Sequence, residues 1–260
     1  STGGTAKALA AAGLPVIGIS DVTGFPEMMD GRVKTLHPRV HAGILARRAR
    51  EDDRAALAAH GITPIDLVVV NLYPFAAAAA KRDLPFDSLI EEIDIGGPSL
   101  VRGAAKNFRD GLVVVEPGDY DRVLGALAEP AGPSAAFRFD LARRAIAHTA
   151  AYDQMIASTL DGVRVDEVTG EFLRDVPLES PMFPAVWSPR LTKIKDLRYG
   201  ENPHQPGAWY ASDPGGFGCA VVHQGKELSF TNLLDLDAAA RIVLEFDEPA
   251  AAVIKHTNPC

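Results

Sequence analysis

Leu67-Val68-Val69-Val70-Asn71-Leu72 is the stretch on which the fold turns. A short run this rich in apolar and β-branched residues is what a parallel strand covered on both faces requires, whereas a half-exposed strand would alternate. Two other runs share the character, Leu14-Pro15-Val16-Ile17-Gly18-Ile19 and Gly111-Leu112-Val113-Val114-Val115. Helical patterns fall around and between them, over 5–12, 51–60, 86–93 and 97–108; the second has an acidic first turn and Gly61 as its stop. The alternation predicts an α/β domain built on a parallel sheet.

Beyond Glu116-Pro117-Gly118 the pattern predicts a helix over 119–127 and a long Ala- and Arg-rich one over 134–160, which closes a first domain, 1–160. Residues 161–190 carry Pro177, Pro181, Pro184 and Pro189 with no sustained period and read as a linker or extended crossover. A second domain, 191–260, then shows strand-like Ala208-Trp209-Tyr210 and Ala220-Val221-Val222-His223, a helix over 232–246, and a buried-looking strand Ala250-Ala251-Ala252-Val253-Ile254 before Lys255. Ser1 opens a Gly-rich turn and Cys260 follows that last strand, so both ends read as cuts through folded structure, with a first strand expected before Ser1.

With 260 residues, 47% of them hydrophobic and 23% charged, the chain can bury a substantial core. No apolar stretch approaches the roughly 18 residues a membrane span needs. Two cysteines, Cys219 and Cys260, supply neither a disulfide framework nor a metal quartet, which predicts a reducing, cytoplasmic location. A net charge of −8 argues against a general nucleic-acid surface. Against that acidic background, Gly31-Arg32-Val33-Lys34-Thr35-Leu36-His37-Pro38-Arg39-Val40-His41 concentrates base and points to a small phosphorylated substrate. His37 and His41 lack a third ligand nearby and Pro38 breaks the helix that would align them, so no metal site is expected.

Several short patterns carry chemistry, each with a plain structural alternative. Thr2-Gly3-Gly4-Thr5 reads as a phosphate cradle or as a tight turn capping a helix. Arg32 can fork onto a phosphate and Lys34 can handle a proton, or both belong to a solvated basic loop. Asn71 and Tyr73 sit where a buried strand emerges at its carboxyl end, the ligand edge of open α/β sheets, although a packed aromatic is the commoner use of such a Tyr. Asp94, between apolar neighbours and before Gly96-Gly97, is either a helix cap or a site residue. Lys106 lies at the far end of the following helix, where a surface lysine is the default, and Lys255-His256 alone reads as a polar pair at a strand end.

Taken together these patterns match one family in order and wording. STGGTAKAL at 1–9, TGFPEMMDGRVKTLHPRVHAGILAR at 23–47, VVVNLYPF at 68–75, EEIDIGGPSLVRGAAKN at 91–107 and AIAHTAAYD at 145–153 closely resemble the bifunctional purine-biosynthesis enzymes with IMP cyclohydrolase and AICAR transformylase activities. LRYGENPHQPGAWY at 197–210, GKELSFTNLLDLDAA at 225–239 and AVIKHTNPC at 252–260 resemble the start of their transformylase portion.

The resemblance implies a methylglyoxal-synthase-like parallel-sheet domain followed by the start of a cytidine-deaminase-like α/β transformylase domain. It implies formyl transfer from the cosubstrate 10-formyltetrahydrofolate to AICAR, giving FAICAR, and then dehydrative closure of FAICAR to IMP, with no metal. For closure, Lys34 and Lys106 resemble the proton-handling lysines, Tyr73 an oxyanion donor and Asp94 the group that orients the carboxamide. Thr2, Gly3, Gly4, Thr5, Arg32, Val33, Thr35, Val70, Asn71 and Ile95 are the implied substrate contacts. For transfer, His256 resembles the base and Lys255 its cationic neighbour, with Arg198, Tyr199 and Asn202 on AICAR; His204 and 232–234 are read as structural. A homodimer with transformylase sites between subunits is implied as well. The family's opening strand and phosphate loop do not precede Ser1 and its remaining transformylase half does not follow Cys260, so this sequence by itself is expected to lack transformylase activity and to have reduced cyclohydrolase activity.

Two rivals share the smaller fold. A regulatory phosphometabolite sensor, as in carbamoyl-phosphate synthetase, needs the cradle without Tyr73, Asp94 and Lys106 around a substrate base. A methylglyoxal-synthase-type lyase needs a carboxylate base beside a triose phosphate and leaves the second domain unexplained.

Overall fold

In the computed structural model, Leu67–Val69 forms β1 and Leu112–Val114 forms β2, paired in parallel with Val68 opposite Val113. The structure describes residues 3–81, 83–174, 189, 191–212 and 215–259. β2 is buried throughout, but only Val68 of β1 is, with Leu67 and Val69 exposed on the side that faces a cavity. β1 is also shorter than its apolar run. Val70 still donates to Val114 O at 3.0 Å, after which Pro74, with no N–H to give a ladder, leads into a helix. The expected strand over 14–19 does not form: 14–18 is irregular, Leu14 and Ile17 are exposed, and Ile19 opens a short helix. Pro15 cannot donate to a sheet, and Gly18 serves as the helix N-cap.

The chain divides into two compact units, Ser1–Leu178 and Glu179–Cys260. In the first, helices α1 (Gly3–Ala11), α2 (Ile19–Thr23), α3 (Pro38–Leu45) and α4 (Glu51–Ala59) precede β1, and α5 (Phe75–Ala79), α6 (Phe86–Glu91) and α7 (Gly96–Lys106) lie between the strands. α8 (Tyr120–Ala128) and α9 (Ala135–Leu160) follow β2. Local chemistry sets several ends. Gly61 takes φ +60° just past α4, and Ser134 Oγ accepts from Phe137 N to start α9. Pro38 starts α3 rather than breaking a helix: it occupies the first turn, where its missing N–H costs nothing, and His37 Nδ1 caps it by accepting from Arg39 N at 3.1 Å.

α7 is the central element, packed against α3, α9 and both strands. Its buried Val101, Ala104 and Ala105 meet Val40 and Ile44 of α3, the strand valines, and Leu141, Ala142 and Ala145 of α9. A second cluster joins Phe75, Ala78 and Leu89 to Tyr152 of α9. Residues after α9, read from sequence as linker, begin with a hairpin of β3 (Val163–Val165) and β4 (Phe172–Arg174), turned by Asp166, whose Oδ1 accepts from Val168 N and Thr169 N. It is fixed to the first unit by Phe172, stacked 4.4 Å from Phe86, and by Arg174, which donates to the carbonyls of Ala79, Lys81 and Leu84. These partners lie some 90 residues away in sequence, so no local pattern announces them.

In the second unit, β5 (Thr192–Leu197) pairs antiparallel with β6 (Gly207–Ala211), α10 spans Phe230–Leu244, and β7 (Ile254–Lys255) pairs with β8 (Asn258–Pro259). A reciprocal cap of Ser229 and Asn232 starts α10. Ser229 is the one buried residue described in this unit. The strands expected over 220–223 and 250–254 are accordingly absent apart from Ile254, and Val221, Val222 and Val253 are exposed: apolar character alone does not make a strand where no neighbour pairs with it. Among the described residues no helix is long and apolar enough to cross a membrane.

Candidate active site

A cavity of about 940 Å³ in the first unit is walled by the exposed side of β1, the start of α1, the loop before α3 and the start of α7. The loop is bent by consecutive left-handed residues Met29, Asp30 and Gly31, with φ of 54°, 53° and 91°, and closed by a bridge between Met28 and Val33. Two non-glycine residues in that region are costly, and the bend turns Arg32, Lys34 and Thr35 into the cavity while Val33 stays in the bridge. Both cations meet carboxylates: Arg32 Nε lies 3.3 Å from Glu91, and Lys34 pairs with Glu27.

In the same wall, Asp94 Oδ1 accepts from Gly97 N at 2.7 Å, capping the first turn of α7, and Asp94 N donates to the Tyr152 hydroxyl at 2.8 Å. The two glycines that follow are required by close approach. A Cβ on Gly96 would come to 2.6 Å from Thr35 Oγ1, and one on Gly97 would collide with the Asp94 carboxylate. Asn71, at the end of β1, donates to Tyr120 Oη at 3.4 Å, and Tyr73 is more than half exposed. The start of α1, Gly3 to Thr5, borders the same space, and the positive end of its dipole with Arg32 and Lys34 favours an anionic ligand there.

The cavity thus gathers Gly3, Gly4, Thr5, Arg32, Lys34, Thr35, Val70, Asn71, Tyr73, Asp94 and Ile95. Thr2 lies outside the described residues. Lys106 is not in the cavity: it lines a separate hollow with His41, Ser99 and Arg102. α7 runs from Gly96 to Lys106, about 16 Å at 1.5 Å per residue, so Lys106 and Asp94 stand at opposite ends of one rod.

In the second unit α10 ties two groups together. At its start, Phe230 N donates to Tyr199 O and Arg198 N to Leu228 O. Arg198 Nη2 donates to Tyr199 Oη at 3.1 Å with its guanidinium 4.8 Å from the ring centre, and Ser229, then Arg198, holds the Tyr199 phenol below its ordinary range. Farther along, Asp235 Oδ1 accepts from Thr257 N at 2.7 Å, anchoring the β7–β8 turn, where His256 and Thr257 take φ of 54° and 61°. Lys255-His256 is therefore the limb and tip of a tight hairpin rather than the extended strand end its sequence suggests. Asn202 donates from both N and Nδ2 to Gln205 Oε1, closing its own turn. Among the described residues no group of three His, Cys, Asp or Glu is placed to hold a metal ion.

The AICARFT/IMPCHase bienzyme family model matches residues 104–260, more than half of the chain. The chain belongs to that family. The MGS-like domain model matches residues 1–99 of this bienzyme-family chain, in agreement with an α/β first domain. The chain is similar to the bifunctional purine biosynthesis protein PurH of Anaeromyxobacter dehalogenans strain 2CP-C, 54% identical over the whole chain and 48% of the relative, and to PurH of Neisseria meningitidis serogroup C, 48% identical over the whole chain and 49% of the relative. It spans about half the length of these curated relatives. Among solved structures, the crystal structure of ForH aligns with a TM-score of 0.51 and 41% identity over 60% of this chain and 81% of that one.

Within this bienzyme-family chain, sequence reasoning missed the carboxylates that hold the cavity's cations and the tyrosines behind it. Glu27 and Glu91 lie inside quoted motifs, and the available signal was charge balance: two cations lining an apolar-backed cavity call for nearby anions. Tyr120 comes from α8, far along the chain, and had no local signal, while Tyr152 of α9 lies inside the quoted AIAHTAAYD without a role assigned to it.

Proposed function

We propose that the first unit is an IMP cyclohydrolase, closing FAICAR to IMP with loss of water, and that the second contributes to an AICAR transformylase using 10-formyltetrahydrofolate. The observation that carries the first half is a cavity in which cations, helix starts, Asp94, Asn71 and Tyr73 converge from four separate stretches of chain. The nucleotide's phosphate sits among Gly3, Gly4, Thr5, Arg32 and Thr35, with Thr2 and Val33 adjoining, exchanging Glu91 for phosphate at Arg32. The imidazole ring extends toward Val70, Asn71 and Ile95. Asp94 orients the carboxamide whose nitrogen attacks the formyl carbon, and Tyr73 donates to the oxygen as it gains charge. The carboxamide nitrogen loses one proton and the formylamino nitrogen the other as the ring double bond forms, and the oxygen departs as water after gaining two, with Lys34 beside the reacting atoms.

Lys106, which lines the adjoining hollow rather than the cavity, is proposed as the second proton-handling lysine, and a homodimer is proposed on the resemblance to the family. In the transfer step His256 removes a proton from the AICAR amine as it attacks the formyl carbon, the carbon–nitrogen bond to the folate breaks, and Lys255 steadies the oxyanion; Arg198, Tyr199 and Asn202 hold AICAR. On this reading the cyclohydrolase domain spans 1–160 and a cytidine-deaminase-like domain starts near 191, joined through 161–190, and the protein works in the cytoplasm without a metal, nucleic acid or membrane.

The test is the rise in IMP absorbance when FAICAR is supplied. The chain should turn it over, Lys34→Met and Asp94→Asn should each lower kcat by about 10²-fold or more, and near-normal turnover in either variant removes that residue from the mechanism.

A further inference from the structure

Tyr152 belongs to AIAHTAAYD at 145–153, a motif given no role above. It projects from α9 and is 6% exposed. Its hydroxyl accepts from Asp94 N at 2.8 Å and donates to Glu92 O at 3.4 Å, spanning the bend between α6 and α7. Its ring packs edge-on against Phe75, 6.4 Å between centres at 72°. Phe75 lies two residues after Tyr73. One buried side chain thus touches both segments that carry a candidate acid–base group, although it stands 58 residues from one and 77 from the other in sequence.

We propose that Tyr152 is a positioning residue for ring closure, setting the placement of Asp94 relative to Tyr73 from behind the cavity wall. This rests on the cyclohydrolase reading. A tyrosine is required because a neutral hydroxyl donates to one backbone group and accepts from the next at the same time, which Phe, Ser at this depth, or a charged side chain does not do. Burial pushes its phenol up, keeping that neutral form. Asp94 itself is fixed at two points, the amide by Tyr152 and the carboxylate by Gly97 N, so loss of the first leaves the carboxylate free to swing about the second.

The test is Tyr152→Phe in the full chain, which keeps the ring in its apolar seat, with Thr149→Val as control. Thr149 is fully buried on the same helix face but bonds only to Ile146 O, away from the cavity. Tyr152→Phe should lower kcat for FAICAR closure about tenfold with KM within about twofold, because a small misplacement of a reacting group costs rate rather than ground-state binding. Thr149→Val should lose stability with kcat unchanged. Hydrogen exchange at the Asp94 amide, read without substrate, should accelerate in Tyr152→Phe alone. Wild-type kcat in Tyr152→Phe, unchanged Asp94 exchange, or an equal fall in kcat in Thr149→Val overturns the proposal. A wild-type chain that does not close FAICAR overturns the cyclohydrolase reading instead, while the exchange measurement still decides whether Tyr152 holds Asp94.

Discussion

Asn107→Ala should destabilise the first unit by about 2–4 kcal/mol. Asn107 closes the C-terminus of α7, and its Nδ2 donates to Ile44 O at 2.9 Å and Ala46 O at 3.0 Å, the otherwise unpaired carbonyls at the end of α3. Truncation removes both bonds. The Ala46 carbonyl is half-buried and regains water, so its loss is about 1 kcal/mol, whereas Ile44 is 4% exposed and its orphaned carbonyl costs about 1–3 kcal/mol. For a unit of this size each kcal/mol moves Tm by about 2–4 °C, giving a drop of about 4–16 °C by calorimetry or far-UV circular dichroism. Since α3 follows Lys34 and Thr35 and α7 follows Asp94, the tie joins the two walls of the cavity, and turnover should fall as well. A Tm within about 1 °C of wild type would show that water replaces the amide at no cost and would refute the reasoning.

Three further outcomes follow from the same geometry. Gly97→Ala places a methyl group against the Asp94 carboxylate and 2.9 Å from Leu72 Cδ2, so it should cost about 1–3 kcal/mol by overpacking and lower cyclisation kcat, despite the gain in helix propensity; denaturant titration alongside kinetics checks it. Asp140 is held down to about 2 by Arg122, then Arg143, with Arg144 adding, and a depressed carboxyl contributes stability above its unfolded pKa near 4 that is lost as pH falls through about 2. The melting temperature of wild type should therefore fall more steeply than that of Asp140→Asn between about pH 4 and pH 2, and parallel curves refute the assignment. If Lys106 acts across a dimer, mixing inactive Lys34→Met and Lys106→Met chains should restore cyclisation through hybrids that combine both intact lysines in one site, and no recovery from a mixture shown to exchange subunits removes Lys106 from the partner's site.

Much of the first unit was legible because its signals are local. Val113 and Val114 announce a buried strand, Gly61 a helix stop and Ser134 a cap, and each acts within one turn of where it stands in sequence. The cavity's cations and Asp94 were legible through motif chemistry for the same reason. What escaped depends on partners far along the chain. Arg174 reaches back some 90 residues to three carbonyls, Tyr152 supports a loop 58 residues away, and Glu27 meets Lys34 only because three left-handed residues fold the loop on itself. The strands expected at 14–19 and 250–254 show the converse: an apolar run predicts pairing only where a partner exists, but Pro15 lacks a ladder donor and Val253 finds no buried seat. His37-Pro38 misled in another way, since a proline that ends a helix in its interior begins one in its first turn.

The most direct measurement is a crystal structure of the chain with bound IMP. The nucleotide should lie in the cavity along β1 with its phosphate against Thr5, Arg32 and Thr35 and its base beside Asn71, Asp94 and Ile95. IMP bound elsewhere, or a phosphate at the Asp94 end, would contradict the account.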